Sequence, residues 1–322
     1  MWKAKQQSGA ALLIVLTLVA VLTILASELY AKSRHNGQRQ SSLQNLLQAQ
    51  WYARGGENHA LLIAGKLSDY PIPEPEQLTS SYPIDKGHLR IQLIPQHNCF
   101  NLNSLDSTST DDNKVTDNQD RPTAINTLKR LLQASGTDSH TGNTFTSRLA
   151  DWIDKDSQPL DSFGMERASI NTPHPNNAQL LNINEIKQLK ILDDKAYNQL
   201  KKHLCTRSGD SGLAINPNDL TSENIPLLQA VFGDKLTPQT LEQLIESRPP
   251  DGYKDAEDFF NQSVFEDTDI SAEVKAAFTT ERKYYQAKIN VSYDLARVQL
   301  NILLSSDEQN SNIIARYYGV TP

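Results

Sequence analysis

Apolar positions crowd at one end of the chain. From Ala10 to Ala26 no residue is charged and none is Pro or Gly. As a helix this run spans about 25 Å at ~1.5 Å per residue, the short end of a membrane crossing, and Ser27 and Tyr30 can extend it. Lys3 and Lys5 precede it, which favours an N-terminus held in the cytoplasm and a remainder sent across. Beyond Ser27 the chain turns polar but keeps a helical period. Leu43, Leu46, Leu47, Gln50, Trp51 and Arg54 recur at three- and four-residue spacing, and the helix is expected to reach about Leu67. Asn36-Gly37 and Gly55-Gly56 weaken it, so a kink or frayed turn is expected near 36–37. Asp69 to Pro83 is rich in Pro and predicts a loop.

A second pattern has period two. His88–Ile94 alternates polar and apolar residues, as do Tyr284–Tyr293, Ala296–Leu304 and Ile313–Val320. Such alternation marks strands with one buried face. One strand precedes a gap of about 190 residues and three follow it, and together they predict an antiparallel sheet. Inside the gap the period returns to that of a helix, near 122–134, 144–154, 184–204, 222–231, 237–247 and 271–279. Asn182 with Glu185 reads as a capping box, and Thr237-Pro238 as a helix start. The predicted class is α+β: a long N-terminal helix packed on an antiparallel sheet, with a large inserted all-α domain.

Three segments share the form apolar-Asn-x-Asn-x-apolar: Phe100–Leu105, Leu181–Ile186 and Ile215–Leu220. Each Asn can accept from the free amides at a helix start while its apolar neighbours pack. The third copy leads into Leu241, Ile245, Arg248, Pro249 and Phe259, which resembles a helix-hairpin-helix module of DNA-binding proteins. The Gly-x-Gly hairpin that would meet phosphate is missing, so the repeat reads as a packing unit. The net charge of −7 and a pI near 5.5 also argue against nucleic acid.

No catalytic constellation emerges. The seven histidines are scattered, there is no phosphate-binding Gly-rich loop, and no Ser has a nucleophile-elbow context. The chain reads as a non-enzyme. One dense oxygen-ligand cluster stands out: Asp151, Asp154, Asp156, Gln158, Asp161 and Glu166. Asp154-x-Asp156-x-Gln158 can turn three oxygens to one centre, as Ca2+ requires. Pro159 replaces the EF-hand glycine, and a solvated acidic turn is the competing reading. Trp152 and Ile153 beside it read as core. Asp111, Asp112, Asp117 and Asp120 predict a disordered loop. Cys99 and Cys205 are the chain's two cysteines. In an oxidising compartment an isolated pair forms a disulfide, and elsewhere two buried thiols.

The apolar run at 10–26 fits a secretory signal cut near Ala26-Ser27, a plain signal anchor, or a leader cut before the apolar core, after Gly9. The last fits a type IV prepilin, with its short basic head, Gly9, and a helix that continues past the core. Most pilins carry Glu at the fifth position after the cut, where this chain has Ile14. That substitution, Gln50–Glu57 and Asp151-Trp152-Ile153-Asp154-x-Asp156 together resemble the minor pseudopilin K family of type II secretion. The resemblance implies a leader at 1–9 and a transmembrane part at 10–30. It further implies a pilin-like domain at 31–99 and 281–322 and an inserted helical domain at 100–280. It implies processing between Gly9 and Ala10 by prepilin peptidase, with methylation. It places the chain in the bacterial inner membrane, single-pass, with a periplasmic head. The partners it implies are I- and J-type minor pseudopilins in a tip complex and the inner-membrane assembly platform. Relatives carry calcium in the insert, and Glu166 matches a ligand in a Gly-Ala-Glu-Asp run that reads Gly164-Met165-Glu166-Arg167 here. The implied role is to nucleate and cap the pseudopilus for protein export. A minor pilin of a type IV pilus is the alternative, and a membrane-anchored nucleic-acid receptor the more distant one.

Overall fold

The computed structural model describes residues 8–67, 78–111, 114–117, 121–166, 174–207, 212–266, 268–306 and 311–319. Helix α1, Ser8–Leu67, runs unbroken through Gly37, Gly55 and Gly56. Its C-terminal half lies on a five-stranded antiparallel sheet of order β1-β2-β7-β8-β9. The strands are β1 (Thr79–Ile84), β2 (Gly87–Pro95), β7 (Tyr284–Tyr293), β8 (Ala296–Ser306) and β9 (Ser311–Tyr318). Two strands therefore precede the insert, not one. β1 falls where the sequence predicted loop through Pro83. It is an edge strand, the place in a sheet where a proline's missing N–H is tolerated.

The helix meets the sheet through small residues. Ala49, Ala53, Gly56, Ala60 and Ala64 form one buried face against Leu89, Ile91, Leu93, Ala287, Ile289 and Val291. The approach is close: a Cβ on Gly56 would lie 2.8 Å from Ile289 Cγ2. Glu57 is buried on the same face. Its carboxylate accepts from Arg316 of β9 through both oxygens, at 2.5 and 2.8 Å.

The insert has its own core. Helices α2 (Arg121–Ala134) and α3 (Ser139–Ile153) bury Leu128, Leu131, Leu132, Phe145 and Leu149. Phe232, Phe259, Phe260, Phe265 and Phe278 form an aromatic cluster within it, mostly tilted or edge-to-face, with Phe259 stacked on Phe278. The segment predicted as one helix over 184–204 is broken. A 3-10 helix at Ile183–Leu189 ends where Lys190 turns left-handed (φ 53°), and Asp193 caps a fresh helix, α4 (Asp194–Leu200). The acidic stretch expected to be disordered contains a hairpin, β4 (Thr108–Asp111) with β5 (Lys114–Asp117). Asp111 and Asp117 lie in its strands, while Asp112 and Asp120 fall outside the described residues. A two-residue parallel pair, β3 (Phe100–Asn101) with β6 (Leu204–Cys205), is a second β addition to a mainly helical insert.

The Asn repeat is structural in all three copies. Asn101, Asn182 and Asn216 each accept from the amide two residues on, capping a 3-10 turn. The second Asn reaches further. Asn103 donates to the carbonyls of Leu180 (2.9 Å) and Arg207 (3.2 Å) and accepts from Leu180 N (2.8 Å). Asn218 brackets Tyr253 alike, donating to its carbonyl at 2.9 Å and accepting from its N–H at 2.7 Å. Gly252 beside it has φ +75°, and a Cβ there would sit 2.8 Å from Asn218 Oδ1. Asn184 instead accepts from the Tyr197 hydroxyl.

The insert leaves from β2 and returns to β7, which are neighbours. Gln96 N donates to Tyr284 O at 2.8 Å, and Lys283 N donates to His97 Nε2 at 3.0 Å. Burial, with Arg207 and Arg282 nearby, pushes His97 down to about 3, so the ring is neutral and accepts this bond.

Candidate functional site

Two regions carry functional chemistry: the bare half of α1 and the acidic loop after α3. Among the described residues, α1 is the one helix long and apolar enough to cross a membrane. Leu12 to Leu25 stand clear of the rest of the protein, Ile14 among them at 65% exposed. Gly9 and Ala10 lie within the helical backbone, and residues 1–7 fall outside the described residues. Above the span, Leu47, Trp51 and Leu62 recur on the side of α1 turned away from the sheet. Trp51 is 71% exposed, so it faces outward and not into the sheet. Gly55 beside it has nothing within 4 Å of where a Cβ would be, so this side of the helix is open.

The acidic loop is built from the end of α3. Asp151 is fully buried, and its two oxygens accept from Leu160 N (2.8 Å) and Met165 N (2.5 Å). It pins the loop that carries the remaining acids. Asp161 accepts from the Ser147 hydroxyl (2.9 Å) and Phe163 N (2.8 Å). Asp154 caps α3, and one of its oxygens takes a salt bridge from Arg121. Gln158 contributes its backbone N–H to Asp156 Oδ1 at 2.8 Å.

One carboxylate oxygen each from Asp154, Asp156 and Glu166 converges, all within 4.8 Å of one another. Asp154 Oδ1 and Glu166 Oε1 are buried with no hydrogen-bond partner. Burial pushes Asp154 up to about 7; Arg121 opposes the shift, and Asp156 and Asp151 add to it. Glu166 is raised by burial, then by Asp151 and Asp156. Three hard oxygen donors with two unsatisfied atoms fit a hard divalent cation such as Ca2+. Of the six residues the sequence singled out, the structure thus gathers Asp154, Asp156 and Glu166. Asp151 and Asp161 hold the loop, and Gln158 lies exposed at its turn. Arg121, which the sequence did not single out, balances one of the cluster's charges. Arg167 lies outside the described residues.

Cys99 and Cys205 are bonded, brought together by the β3–β6 pair.

A long helix, bare at one end and packed by small residues on an antiparallel sheet at the other, defines a pilin-like subunit. Family models described as "Type II secretion system (T2SS), protein K" match residues 98–209 and 215–281. The type II secretion system protein K of Dickeya chrysanthemi is 26% identical, over 98% of each chain. That of Klebsiella pneumoniae is 27% identical, over 98% of this chain and 97% of its own. A solved chain from the GspK-GspI-GspJ complex of enterotoxigenic Escherichia coli has the same fold, with a TM-score of 0.73 and 22% identity. The match covers 88% of this chain and 99% of that one. The chain belongs to the type II secretion protein K family. It is a minor pseudopilin of type II secretion, a structural class and not a family of enzymes. Neither the type IV pilus reading nor the nucleic-acid reading is favoured by these relatives.

Proposed function

We propose that this chain is the tip subunit of the pseudopilus, nucleating its assembly and capping it for export across the outer membrane. Ile14 carries the reading. In pilins, Glu at this position offers a carboxylate to the N-terminal amine of a neighbour within the bilayer, where an unpaired charge costs several kcal/mol, about 2.5–3.5 on insertion scales. A subunit with Ile14 has no carboxylate to offer and loses nothing if it comes first. The insert, a second body with its own core, adds bulk that obstructs stacking beyond it.

On this reading the N-terminus lies in the cytoplasm and the head in the periplasm of the inner membrane. Prepilin peptidase cuts between Gly9 and Ala10, the new end is methylated, and the assembly platform receives the product. The partners are the I- and J-type minor pseudopilins. The outward face of Leu47, Trp51 and Leu62 supports this, because it continues the membrane helix as an apolar stripe. The Asp154, Asp156 and Glu166 carboxylates hold Ca2+, whose charge balances theirs and braces the loop.

Cysteine crosslinking from the outward face of α1 in assembled pseudopili tests the tip position. One copy per filament, joined to the smaller minor subunits, is expected. Recovery of this chain joined to copies of itself along the shaft refutes it. A mature protein that begins at a residue other than Ala10 refutes the processing step.

A further inference from the structure

The insert and the sheet enclose a cleft that the assembly reading does not use. β7 turns Tyr285, Ala287 and Ile289 to the helix and therefore Gln286 and Lys288 to the opposite face. On that face they meet the insert across a cavity of about 210 Å³. The insert wall presents Asn182, Asn184 and Lys201, and the sheet wall presents Gln286, Lys288 and Tyr317.

The lining is rich in donors and its charged residues are both lysines, while the Glu185 carboxylate behind the wall is taken up by Leu181 N (2.9 Å) and Asn182 N (2.8 Å). None of its lining residues is Asp or Glu. Lys201 and Lys288 are half-buried, and no carboxylate of the described residues pairs with either. The Lys201 ammonium lies 5.9 Å from the Tyr197 ring centroid, outside the cavity. Tyr317 accepts from Gln286 Nε2 at 2.8 Å, which leaves its own O–H to donate. A chain of net charge −7 has thus set two unpaired ammoniums against one small cavity. Two cations lining one cavity whose lining offers no acid favour an anion there. The volume is below the ~300 Å³ at which drug-sized pockets begin, so the guest is about the size of one acidic side chain. No Arg lines the cavity to give the bidentate fork that favours phosphate.

We propose that this cleft is a carboxylate-binding site, in which Lys201 of the insert and Lys288 of the sheet clamp one carboxylate between the two bodies. The carboxylate comes from an acidic side chain of a partner polypeptide or from a small free acid. The site stands whether or not the chain sits at a tip.

The test uses the full chain in detergent micelles at low salt, with its lysine amines reductively dimethylated with carbon-13 as NMR probes. Four probes are titrated: an acetylated and amidated Ala-Glu-Ala peptide, its Ala-Gln-Ala counterpart, succinate, and inorganic phosphate. Saturable shifts at Lys201 and Lys288 are expected with the Glu peptide or succinate, and none with the Gln peptide. Tighter binding of the peptide assigns a polypeptide source, and tighter binding of succinate a free acid. Lys201→Gln and Lys288→Gln should each weaken binding about tenfold. Lys202→Gln, at an exposed neighbour outside the cleft, should leave it unchanged. Leu303→Trp, which fills the cavity without altering charge, should abolish it. Melting curves check that each variant folds. Equal binding of the Gln peptide, equal loss in Lys202→Gln, tighter binding of phosphate than of either carboxylate, or no saturable shift would overturn the proposal.

Discussion

Asn103→Ala probes the repeat most sharply. Asn103 is fully buried, and its side chain satisfies three backbone groups: Leu180 N, Leu180 O and Arg207 O. These partners lie 77 and 104 residues away, so the side chain joins the 180 segment to a strand pair and disulfide that already tie residues 99–101 to 204–205. Truncation strands one amide and weakens two carbonyls. An unsatisfied buried polar group costs about 1–3 kcal/mol, and carbonyls tolerate loss better than N–H groups. The expected loss is about 2–5 kcal/mol. For a body this size that corresponds to about 5–15 °C in melting temperature. Asn218→Ala removes the matching bracket on Tyr253 and should cost about as much. Asn184→Ala should cost about 1 kcal/mol or less, because Asn184 is partly exposed and meets a tyrosine hydroxyl. Near-UV circular dichroism of the full chain in micelles, at fixed calcium, follows the melt without reporting on the membrane helix. Equal destabilisation by all three variants would refute the reasoning, as would a loss below about 0.5 kcal/mol for Asn103→Ala.

Other expectations follow from the same geometry. Chelation by EGTA should lower the melting temperature, and Asp154→Ala with Asp156→Ala should abolish the response. A bound cation at 100-fold over its dissociation constant adds about 2.7 kcal/mol. Asp154 titrates near 3.8 when unfolded and about 7 when folded and metal-free, so without calcium its contribution to stability falls as pH rises through that window. A cation must displace that proton, so the calcium shift should grow between about pH 5 and pH 8; a flat or falling shift refutes the site. Reducing Cys99–Cys205, which are 106 residues apart, should cost about 4–5 kcal/mol on the chain-entropy model, read as a drop of ~10–15 °C. Arg316→Ala strands Glu57 against the sheet. A loss of about 1–3 kcal/mol is expected, reduced because Arg316 is 38% exposed, and Glu57→Leu with Arg316→Leu should recover part of it in a denaturant melt.

Much of this architecture was visible in the pattern of residues. β7 alternates because one face is buried on α1, and burial imposes period two; β8 is buried on both faces from Leu300 to Leu304, where its alternation gives way to the apolar run Ile302-Leu303-Leu304. The Asn182 capping box and the Thr237-Pro238 start are local chemistry, and both are present. β1 leaves little mark because it is short and on an edge, with Ile84 alone among its residues packing half-buried against the core. The false helix over 184–204 arose because 3-10 turns space apolar residues much as an α-helix does, while the left-handed Lys190 leaves no mark in composition. Long-range partners left no trace either. Nothing near Glu57 announces Arg316, 259 residues away, and nothing near Asp154 announces Arg121. Within the acidic cluster, composition could not separate the acids that converge from those that tie down the loop. Asp154 and Glu166 both belong to the acidic cluster the residues mark, with Glu166 also matching the family's run, but their unsatisfied oxygens are a property of the folded backbone.

The junction of insert and sheet has a consequence for the order of folding. Pro95 and Tyr285 are opposite each other across the β2–β7 ladder, yet some 190 residues apart along the chain. Zipping that ladder from an open chain means closing a very long loop, and closure entropy opposes it before any contact rewards it. The insert removes the obstacle. In the folded insert the two ends lie side by side, joined by the bond from Gln96 N to Tyr284 O, and Cys99–Cys205 shortens the loop between them. A remote pairing then becomes equivalent to a hairpin. The insert works as the turn of that hairpin, so β7 to β9, last to emerge, have a template waiting in β2. Excision between Gln96 and Lys283 leaves two ends that a two-residue type I′ turn can bridge, and a pilin of ordinary size remains.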